Sequence, residues 1–511
     1  MKTNNAQKTW NVFSLIVLIL VSGIQCRLLW QIYRLYILPT PYFLALSAGM
    51  LLLTLLLSVL LFRKKSGKWA AKTGHGKQIF GYILSLMIVA GCFAGSYFVG
   101  KVLNTINSIT APENINVVME VYVRTDDTAQ ELQDTANYRF AIPGDVPEEE
   151  QTKVLENLSE LFGTNVSPKH YATTAEALQA LFAEDVDALI LNSEYVSVLT
   201  ALDDFADLES RIRPLHEIII EKEGVRETRP AKPIIPVKTR ETVLNTPFLV
   251  YISGNDARKP LLADGGSDVN ILMLVNVENQ QILLINTPRD YYVVNPASGN
   301  GSRDKLSHCG LRGIDNCIQA MNMQYGISIE NYARINFNGF VKLIDALGGV
   351  TIYSDIGFNT VHGSYIRQGE NHLNGQDALG FVRERKHLAG GDNDRGKNQM
   401  KLISALIQKL SVGNLIANYS EILESLEGMF STNFPAEDIG KLVQFQLTEK
   451  PTWEVLTFAV TGDGGSDHCW AAGGSGYVMY PHENVVAHAV DLMERFLDGE
   501  KLSQADMTVP K

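Results

Sequence analysis

Three apolar segments within the first hundred residues limit what this chain can fold into. Val12–Leu29, Tyr42–Phe62 and Ile79–Val99 are each close to the length of about 20 residues that crosses a bilayer as a helix. A secretory signal peptide is the alternative for the first segment, which contains Gln25 and Arg27. Two more apolar segments follow it, however, and no small-residue cleavage site stands out. We therefore expect three transmembrane helices.

The loop between the second and third apolar segments indicates the orientation. Residues 63–78 contain six Lys and Arg residues and no acid. The positive-inside rule then places this loop and the N-terminus in the cytoplasm, and everything after about residue 101 outside it. A basic loop can also bind nucleic acid, but the topology accounts for it and no nucleic-acid partner is expected.

Cysteine usage adds little to this assignment. The five cysteines are Cys26 and Cys92 in the apolar segments and Cys309, Cys317 and Cys469 in the exported part. Their spacing contains no CxxC or Cys/His pattern typical of zinc. On a continuous helix Cys309 and Cys317 would be about 12 Å apart, so a disulfide between them requires a break near Gly310–Gly313.

Composition and periodicity divide the exported part into two α/β regions. Residues 113–224 alternate strand-like and helix-like runs, one of them a predicted helix over 193–208, and form a small accessory domain. Residues 225–246 are rich in proline and charge and form an extended linker. Residues 247–498 mix strands and helices without strict alternation: a strand at 268–277 leads through a tight hairpin-like connection from Asn276 to Gln281 into the next strand, and a helix is predicted at 315–325. The predicted fold is therefore α/β: a mixed central sheet sandwiched by helices, preceded by the accessory domain and by three transmembrane helices in residues 1–100.

The segment Phe381–Gln399, FVRERKHLAGGDNDRGKNQ, is rich in basic and turn-forming residues. It contains Arg383, Arg385 and Arg395 in a chain whose formal net charge is −12. On an extended segment the first two side chains would leave the same face, and on a helix Arg395 and Gln399 would be neighbours. Grouped guanidinium groups suit phosphate oxygens, although a solvated charged loop has a similar composition.

Charged residues also stand at the ends of the predicted strands. Asp256 follows the first strand of the larger region, Asp268 begins the second, Arg289 ends the third, and Lys305 follows in a DKLSH run. Two carboxylates at a sheet edge can hold Mg²⁺ together with phosphate and water, and arginines opposite them neutralise the same phosphates. Salt bridges that hold loops explain each motif singly. Taken together, the motifs favour a magnesium–phosphate site.

These motifs resemble the catalytic domain of the LytR-CpsA-Psr family over about residues 247–411. The matching runs are SGNDAR, SDVNILMLVN, LINTPRDYYV, DKLSHCG, YARINFNGFVKLIDALGGV, LNGQDALGFVRERK and GDNDRGKNQ. The three spans and the intervening α/β region resemble the capsule-associated branch of the family. The resemblance implies transfer of an anionic glycopolymer, of teichoic acid or capsule type, from an undecaprenyl-pyrophosphate carrier to peptidoglycan, with release of undecaprenyl phosphate.

The resemblance also implies roles for individual residues. It makes Asp256 and Asp268 the Mg²⁺ ligands. The side chains that it places around the pyrophosphate are those of Arg289, Arg383, Arg385, Arg395, Gln399 and Lys305. We expect Asp392 to be the general base that assists the catalytic arginines, with Asp394 as the alternative; either could also cap the helix that follows. The helices at 337–347 and after Gln399 would wall a pocket for the polyprenyl chain.

One position departs from the family pattern. Arginine commonly stands two residues before the second aspartate, where this chain has Gly266. One phosphate contact is then missing or is supplied by Lys259 or Arg303, while Arg258 suits a structural ion pair equally well. Two other functions stay open: a polyprenyl-pyrophosphate hydrolase with the same site, and a noncatalytic membrane regulator that binds the lipid.

Overall fold

The computed structural model describes residues 2–62, 76–110, 115–144, 146–200, 202–222, 242–255, 265–409, 422 and 425–510. Most of the basic loop at 63–78 and of the linker at 225–246 lies outside these residues, as do Asp256, Arg258 and Lys259. The helices are α1 (Lys2–Arg34), α2 (Thr40–Leu61), α3 (Gly76–Thr110), α4 (Glu148–Phe162), α5 (Thr174–Phe182), α6 (Glu194–Leu199), α7 (Leu208–Arg211), α8 (Leu306–Cys309), α9 (Ile314–Tyr325), α10 (Phe337–Ala346), α11 (Gly375–Arg383), α12 (Asp392–Lys409), α13 (Ala436–Glu449) and α14 (Glu483–Leu497). The strands are β1 (Ile115–Arg124), β2 (Phe140–Pro143), β3 (Lys169–Tyr171), β4 (Ala188–Asn192), β5 (Ile212–Lys222), β6 (Phe248–Asn255), β7 (Ser267–Asn276), β8 (Gln281–Asn286), β9 (Tyr292–Val294), β10 (Arg303–Lys305), β11 (Asn331–Asn336), β12 (Val350–Ser354), β13 (Phe358–Asn359), β14 (Tyr365–Ile366), β15 (Gly369–Leu373), β16 (Phe430–Thr432), β17 (Glu454–Ala459), β18 (Gly462–Cys469) and β19 (Gly474–Pro481).

The chain forms two units. The first comprises Met1–Ser108 and Pro435–Pro451, and the second comprises Ile109–Phe434 and Thr452–Lys511. In the first unit, Asn11–Arg34, Thr40–Leu61 and Gly76–Thr110 are long and apolar enough to cross a membrane, in agreement with the three predicted segments.

Two hydrogen bonds join polar side chains of the apolar helices in the first unit to a neighbouring helix. Thr54 Oγ1 in α2 donates a 2.6 Å hydrogen bond to Gln25 Oε1 in α1, and Ser14 Oγ donates to the Leu61 carbonyl at 3.2 Å. Because hydrocarbon offers no hydrogen-bond partner, such pairs allow polar residues inside a membrane span and link one helix to another. The interruption of the first apolar segment at Gln25 is therefore compatible with a spanning helix.

The second unit contains two main sheets, both mixed. The first has five strands in the order β3-β2-β4-β1-β5 and lies within residues 115–222. The second has six strands in the order β16-β11-β6-β7-β8-β17. In this second sheet β7 runs antiparallel to both β6 and β8, whereas β11 pairs parallel with β6 and β17 pairs parallel with β8. The mixed α/β class that the sequence predicts is confirmed.

Helices lie on both faces of the six-stranded sheet. On one side Leu272 and Leu283 pack with side chains of α9 and α14 in a single cluster. Because side chains alternate along a strand, Asn286 points away from the face of Leu283, and it contacts Gln399 of α12. A separate cluster joins α10, α11 and α12, with Phe337 only partly buried against it.

A third cluster is shared by the two parts of the second unit. Leu178 and Tyr195, from the region that contains the five-stranded sheet, pack with Leu311 and Val478, which follow in the larger region. Cys469 is also buried there. The apolar contact joins the two regions into one compact unit.

Most predicted elements form at or close to the expected residues. The hairpin-like connection from Asn276 to Gln281 is a hairpin in which these two residues pair across β7 and β8. The helix expected over 193–208 is instead two short helices, α6 and α7. The chain also breaks between α8 and α9, where Gly313 adopts a φ of 87° that favours glycine. Cys309 and Cys317 on either side of that break are buried free thiols.

Candidate phosphate-binding site

One edge of the six-stranded sheet collects the charged residues singled out in the sequence. Strand β7 begins with Ser267 and runs antiparallel to β8, so Asp268 lies at the same edge as the carboxyl end of β8, where Asn286 pairs with Ile271. Asn255 ends β6 at this edge and is fully buried. The ends of three consecutive strands therefore meet here.

Asp268 and Arg289 form the shortest ion pair of this edge. Arg289 Nη1 lies 2.5 Å from Asp268 Oδ1, and Arg395 Nη2 donates to the Asp268 carbonyl at 3.4 Å. Burial raises the pKa of Asp268, but nearby guanidinium groups lower it by more, so its pKa lies below the ordinary value. Those groups belong to Arg289, Arg395 and Arg383. Asp268 is therefore ionised at neutral pH.

Asp290 is a second buried carboxylate, and three cations surround it. Its Oδ1 lies 3.6 Å from Arg289 Nε and 3.8 Å from Lys305 Nζ, and its Oδ2 lies 3.9 Å from Arg385 Nη1. Its Oδ1 accepts no hydrogen bond from the residues that the structure describes. All three separations are longer than a hydrogen bond, so the Asp290 carboxylate attracts these cations by charge alone.

Arg383 and Arg385 do not lie on one extended segment, so the geometry in which both side chains would leave the same face does not occur. Arg383 is the last residue of α11, and the next residue, Glu384, has extended backbone angles. The guanidinium of Arg383 lies over the ring of Phe337, 4.8 Å from its centroid, whereas Arg385 reaches toward Asp290. The helix end separates the two side chains, yet each remains close to one carboxylate of the site.

Helix α12 carries Arg395 and Gln399 on one buried face, as predicted. Gln399 Oε1 accepts a 3.3 Å hydrogen bond from Asn286 Nδ2, and Gln399 Nε2 donates to the Val382 carbonyl at 3.3 Å. Gly396 allows the close approach, because a Cβ there would lie 2.0 Å from Asn286 Oδ1. Gln399 thus fixes α12 against β8 and uses its amide in that role.

Asp392 and Asp394, the two candidates for the general base, differ in environment. Asp392 Oδ1 lies 2.7 Å from Arg395 Nη2, in an ion pair without hydrogen-bond angles. Burial raises the pKa of Asp392, and the charge of Asp290 raises it further against the opposing effect of Arg395. Asp394 is held by Lys397 at 2.9 Å and by the Gly390 N–H at 2.8 Å, and its pKa is lowered despite partial burial. The surroundings favour Asp392 as a proton acceptor.

The departure from the family pattern at Gly266 is not compensated by Arg303. The exposed Arg303 side chain donates to the Tyr292 carbonyl at 2.9 Å and lies near the Tyr292 ring. Gly266 itself packs close to Gly310, where a Cβ would lie 3.2 Å from the Gly266 carbonyl carbon. Lys259, the other candidate, lies outside the described residues together with Asp256.

A group of metal-ligand types lies elsewhere in the second unit. Asp304, His308 and Cys469 are buried, with their ligand atoms within 4.8 Å of one another. Asp304 is already well supplied with donors: Oδ1 is 2.6 Å from His308 Nδ1 and accepts from the Lys305 N–H, and Oδ2 accepts from the Ala471 N–H at 2.7 Å. This hydrogen-bond network around Asp304, called the Asp304 hub below, joins β10 and α8 to the loop after β18. Its role is structural.

Two residues of this edge were missed in the sequence. Asp290 stands next to Arg289 in the TPRD run, and its signal is an acid shortly after the end of the buried strand β8. Asn286 ends that strand and is almost fully buried. A buried amide at a strand end next to a charged site indicates a side chain with a positioning role.

Sequence similarity places the chain in a known protein family. A family model described as the LytR_cpsA_psr family matches residues 220–487, which is more than half of the chain. The chain belongs to the LytR-CpsA-Psr family. This family assignment agrees with the motifs at the sheet edge and with the three apolar helices.

Individual relatives match a smaller part of the chain than the family model does. Over 204 residues the chain is 28% identical to a "Polyisoprenyl-teichoic acid--peptidoglycan teichoic acid transferase TagU" of Bacillus mycoides, covering 40% of this chain and 66% of the relative. Over 187 residues it is 33% identical to the Oceanobacillus iheyensis protein of the same name, covering 35% of this chain and 57% of the relative. The chain thus spans somewhat less than two thirds of these relatives. The crystal structure of B. subtilis TagV aligns with a TM-score of 0.41 at 24% identity, over 50% of this chain and 99% of that one.

Proposed function

We propose that this protein is a phosphotransferase that attaches an anionic glycopolymer, of teichoic acid or capsule type, to peptidoglycan. The donor is the polymer linked through pyrophosphate to an undecaprenyl carrier, and undecaprenyl phosphate is released. The names of the two TagU relatives, which include both polyisoprenyl-teichoic acid and peptidoglycan, support this substrate class. The basic loop supports an orientation with the second unit outside the cytoplasm, where the acceptor is found.

The observation that carries the proposal is the excess of positive charge at one sheet edge. Among the described residues, five cationic side chains meet three carboxylates there. The cations are those of Arg289, Lys305, Arg383, Arg385 and Arg395, and the carboxylates are those of Asp268, Asp290 and Asp392. Planar guanidinium groups bind phosphate oxygens through paired hydrogen bonds, so the surplus suits a pyrophosphate better than a neutral sugar.

The carboxylates also fit a divalent cation. Asp268 is ionised because its pKa is lowered, and ionised carboxylate oxygens are the ligands that Mg²⁺ prefers. By the family resemblance, Asp268 and Asp256 would hold Mg²⁺, which when bound supplies charge neutralisation at the phosphate. Arg289 already contacts Asp268 at 2.5 Å, so a cation and this guanidinium would share one carboxylate.

The chemistry is a displacement at the phosphorus nearer the sugar. An acceptor hydroxyl oxygen of peptidoglycan forms the new bond to this phosphorus, the bridging P–O bond breaks, and the bond electrons leave with the lipid phosphate. The arginines offset the charge that develops on the leaving oxygen. Asp392, whose pKa is raised, takes the hydroxyl proton.

Acceptor dependence separates this function from its two alternatives. The full-length protein in vesicles is given a lipid-pyrophosphate-linked glycan, with or without peptidoglycan oligosaccharides, and released lipid phosphate is measured. A transferase releases lipid phosphate only with the acceptor, whereas a hydrolase releases it equally without one. A noncatalytic regulator releases none, and Arg385→Ala or Asp268→Asn would leave its function intact. Persistence of polymer attachment in both variants would overturn the proposal.

A further inference from the structure

The chain makes a turn directly after α11, and this turn carries Arg385. The Leu388 N–H donates to the Arg385 carbonyl at 3.3 Å and closes a turn over residues 385–388. Arg385, Lys386 and His387 are exposed, whereas Glu384 before them and Leu388 after them are buried. The exposed tip of this segment, residues 384–388, which we call the arginine turn, therefore stands on two buried side chains.

Packing against two helices fixes both ends of the arginine turn. At its start, the Glu384 N–H donates to the Gly380 carbonyl of α11 at 3.1 Å, and Gln399 of α12 donates to the Val382 carbonyl at 3.3 Å. At its end, Leu388 packs in the hydrophobic cluster that joins α10, α11 and α12. The chain therefore enters and leaves the turn at defined points, and the geometry of the tip depends on contacts within the turn.

The side chain of Glu384 folds back across the turn and bonds to His387. Glu384 Oε1 accepts a 3.0 Å hydrogen bond from the His387 N–H and lies 3.1 Å from Nδ1 of the His387 ring. Burial raises the pKa of Glu384, but the N–H and the ring of His387 lower it by more, so its pKa lies below the ordinary value. Glu384 is therefore ionised at neutral pH and makes a charge-assisted hydrogen bond across the turn.

The second carboxylate oxygen of Glu384 indicates that this residue does more than stabilise the fold. The Glu384 side chain is fully buried, and its Oε2 has no hydrogen-bond partner among the residues that the structure describes. A buried carboxylate oxygen without a partner lowers the free energy of unfolding. A residue that bonds across the turn with one oxygen at the expense of the other suits a role in setting the geometry of that turn.

The geometry of the turn matters because Asp290 does not fix the guanidinium of Arg385. Arg385 Nη1 lies 3.9 Å from Asp290 Oδ2, which is beyond hydrogen-bond distance, and 43% of the Arg385 side chain is exposed. An exposed guanidinium that is attracted by charge alone keeps several orientations. Its direction therefore depends on the backbone from which it leaves, and Glu384 holds that backbone through the His387 N–H.

We propose that Glu384 is a positioning residue, whose Oε1 holds the arginine turn in the form that presents Arg385 to a pyrophosphate oxygen of the donor. The inference rests on the proposed function. A turn that is already ordered loses less conformational entropy when the anion binds, so the hydrogen bond across it raises the affinity. The negative charge of Glu384 acts in the opposite direction, because a carboxylate beside arginines repels an anion. Positioning and charge thus predict changes of opposite sign when Glu384 is replaced.

The test measures the binding of inorganic pyrophosphate to the detergent-solubilised full-length protein. Glu384→Ala removes the acceptor and is expected to weaken binding about tenfold, the size of one charge-assisted hydrogen bond. Glu384→Gln keeps an oxygen for the His387 N–H and is expected to bind at least as tightly as the wild type. Glu278→Ala removes the same charge from the exposed connection between β7 and β8, at the other end of β7 from Asp268, and should leave binding unchanged. Thermal unfolding verifies that each variant is folded.

A double-mutant cycle with Arg385→Ala shows whether Glu384 acts through Arg385. If it does, Glu384→Ala causes no further loss of pyrophosphate affinity in the Arg385→Ala protein, whereas independent contributions would add. Additive losses would overturn the proposal. So would equal tightening by Glu384→Ala and Glu384→Gln, which is the effect of charge alone, or equal weakening by the two variants.

Binding and transfer together separate this proposal from the proposed function. If the wild-type protein binds pyrophosphate through Arg385 and the cycle gives the expected result, but no glycopolymer is transferred, the proposed function fails while the positioning role stands. If transfer occurs and Glu384→Ala binds pyrophosphate as the wild type does, the positioning role fails alone. Absence of Arg385-dependent pyrophosphate binding in the wild type would overturn both.

Discussion

Arg289 Nη1 lies 2.5 Å from Asp268 Oδ1, and this ion pair joins the end of β8 to the start of β7. The pair is mostly buried, with 23% of the Arg289 side chain and 10% of the Asp268 side chain exposed. The same carboxylate is the one that the family resemblance assigns to Mg²⁺. The Asp268 carboxylate therefore orients the Arg289 guanidinium and is also suited to bind a divalent cation.

Replacement of Asp268 by Asn should abolish most transfer. The amide keeps the shape but removes the charge that orients Arg289 and attracts a divalent cation, so we expect the rate to fall by about 10²- to 10³-fold. The measurement is transfer by the full-length protein at varied Mg²⁺ concentration. Asp355→Asn, which removes an exposed partner of Lys401, is the control and should retain the wild-type rate. An unchanged Mg²⁺ dependence in Asp268→Asn would contradict the metal assignment.

The dependence of transfer on pH should identify the general base. A base must be deprotonated, so activity is lost as the pH falls through its pKa, and the raised pKa of Asp392 places this loss above the ordinary aspartate value of about 3.9. Asp392→Asn should lower the rate by about 10²- to 10⁴-fold and remove this acidic limb. Asp394→Asn, by contrast, should keep both the rate and the limb, because Asp394 is held by Lys397. The opposite pattern would make Asp394 the base.

The close approach of α12 to β8 can be tested at Gly396. Alanine there places a Cβ 2.0 Å from Asn286 Oδ1, so the helix must shift away from the strand. We expect the free energy of unfolding to fall by about 1–3 kcal/mol and transfer to fall with it, because Arg395 and Gln399 lie on the same helix. Thermal unfolding of the detergent-solubilised protein measures the first effect. The control is Lys397→Ala, an exposed position on α12 that should change neither quantity strongly; equal effects of the two variants would refute the packing argument.

The Asp304 hub predicts a specific acid sensitivity. Burial raises the pKa of Asp304, but His308 and two backbone N–H groups lower it by more, so the folded-state pKa lies below the unfolded value of about 3.9. Its stabilisation is therefore complete above that unfolded value and is lost as the pH falls through the lower, folded-state pKa. Asp304→Asn should cost about 1.5–3 kcal/mol at neutral pH and flatten the stability curve in acid. The exposed Asp185→Asn is the control, and a curve for Asp304→Asn that parallels the wild type would contradict this account.

Much of the fold could be predicted from the sequence because the apolar runs are long and strongly patterned. The segment at 268–277 and the helix at 315–325 lie within one residue of β7 and α9, since each buries a continuous or periodic apolar face. The prediction of a single helix over 193–208 was wrong, because the interior of this run does not keep one apolar face and the chain turns between α6 and α7.

The sequence could predict which types of residue form the candidate site, but not which of these residues contact one another. Arg395 and Gln399 follow helical spacing, which is a local property, and they lie together as expected. The placement of Arg385 near Asp290 depends on where α11 ends, and the link between Asn286 and Gln399 joins residues 113 apart. Periodicity carries no information on such distant contacts, so the roles of Asp290 and Asn286 became visible only in the folded chain.

Following each phosphorus atom of the donor tests the central claim most directly. A lipid-pyrophosphate-linked glycan labelled only at the sugar-proximal phosphorus is given to the full-length protein together with peptidoglycan. We predict that this label is found in the peptidoglycan-linked product, in a phosphodiester, while the released undecaprenyl phosphate is unlabelled. Label that appears in the released lipid, or in a free glycan phosphate without attachment to peptidoglycan, would contradict the account.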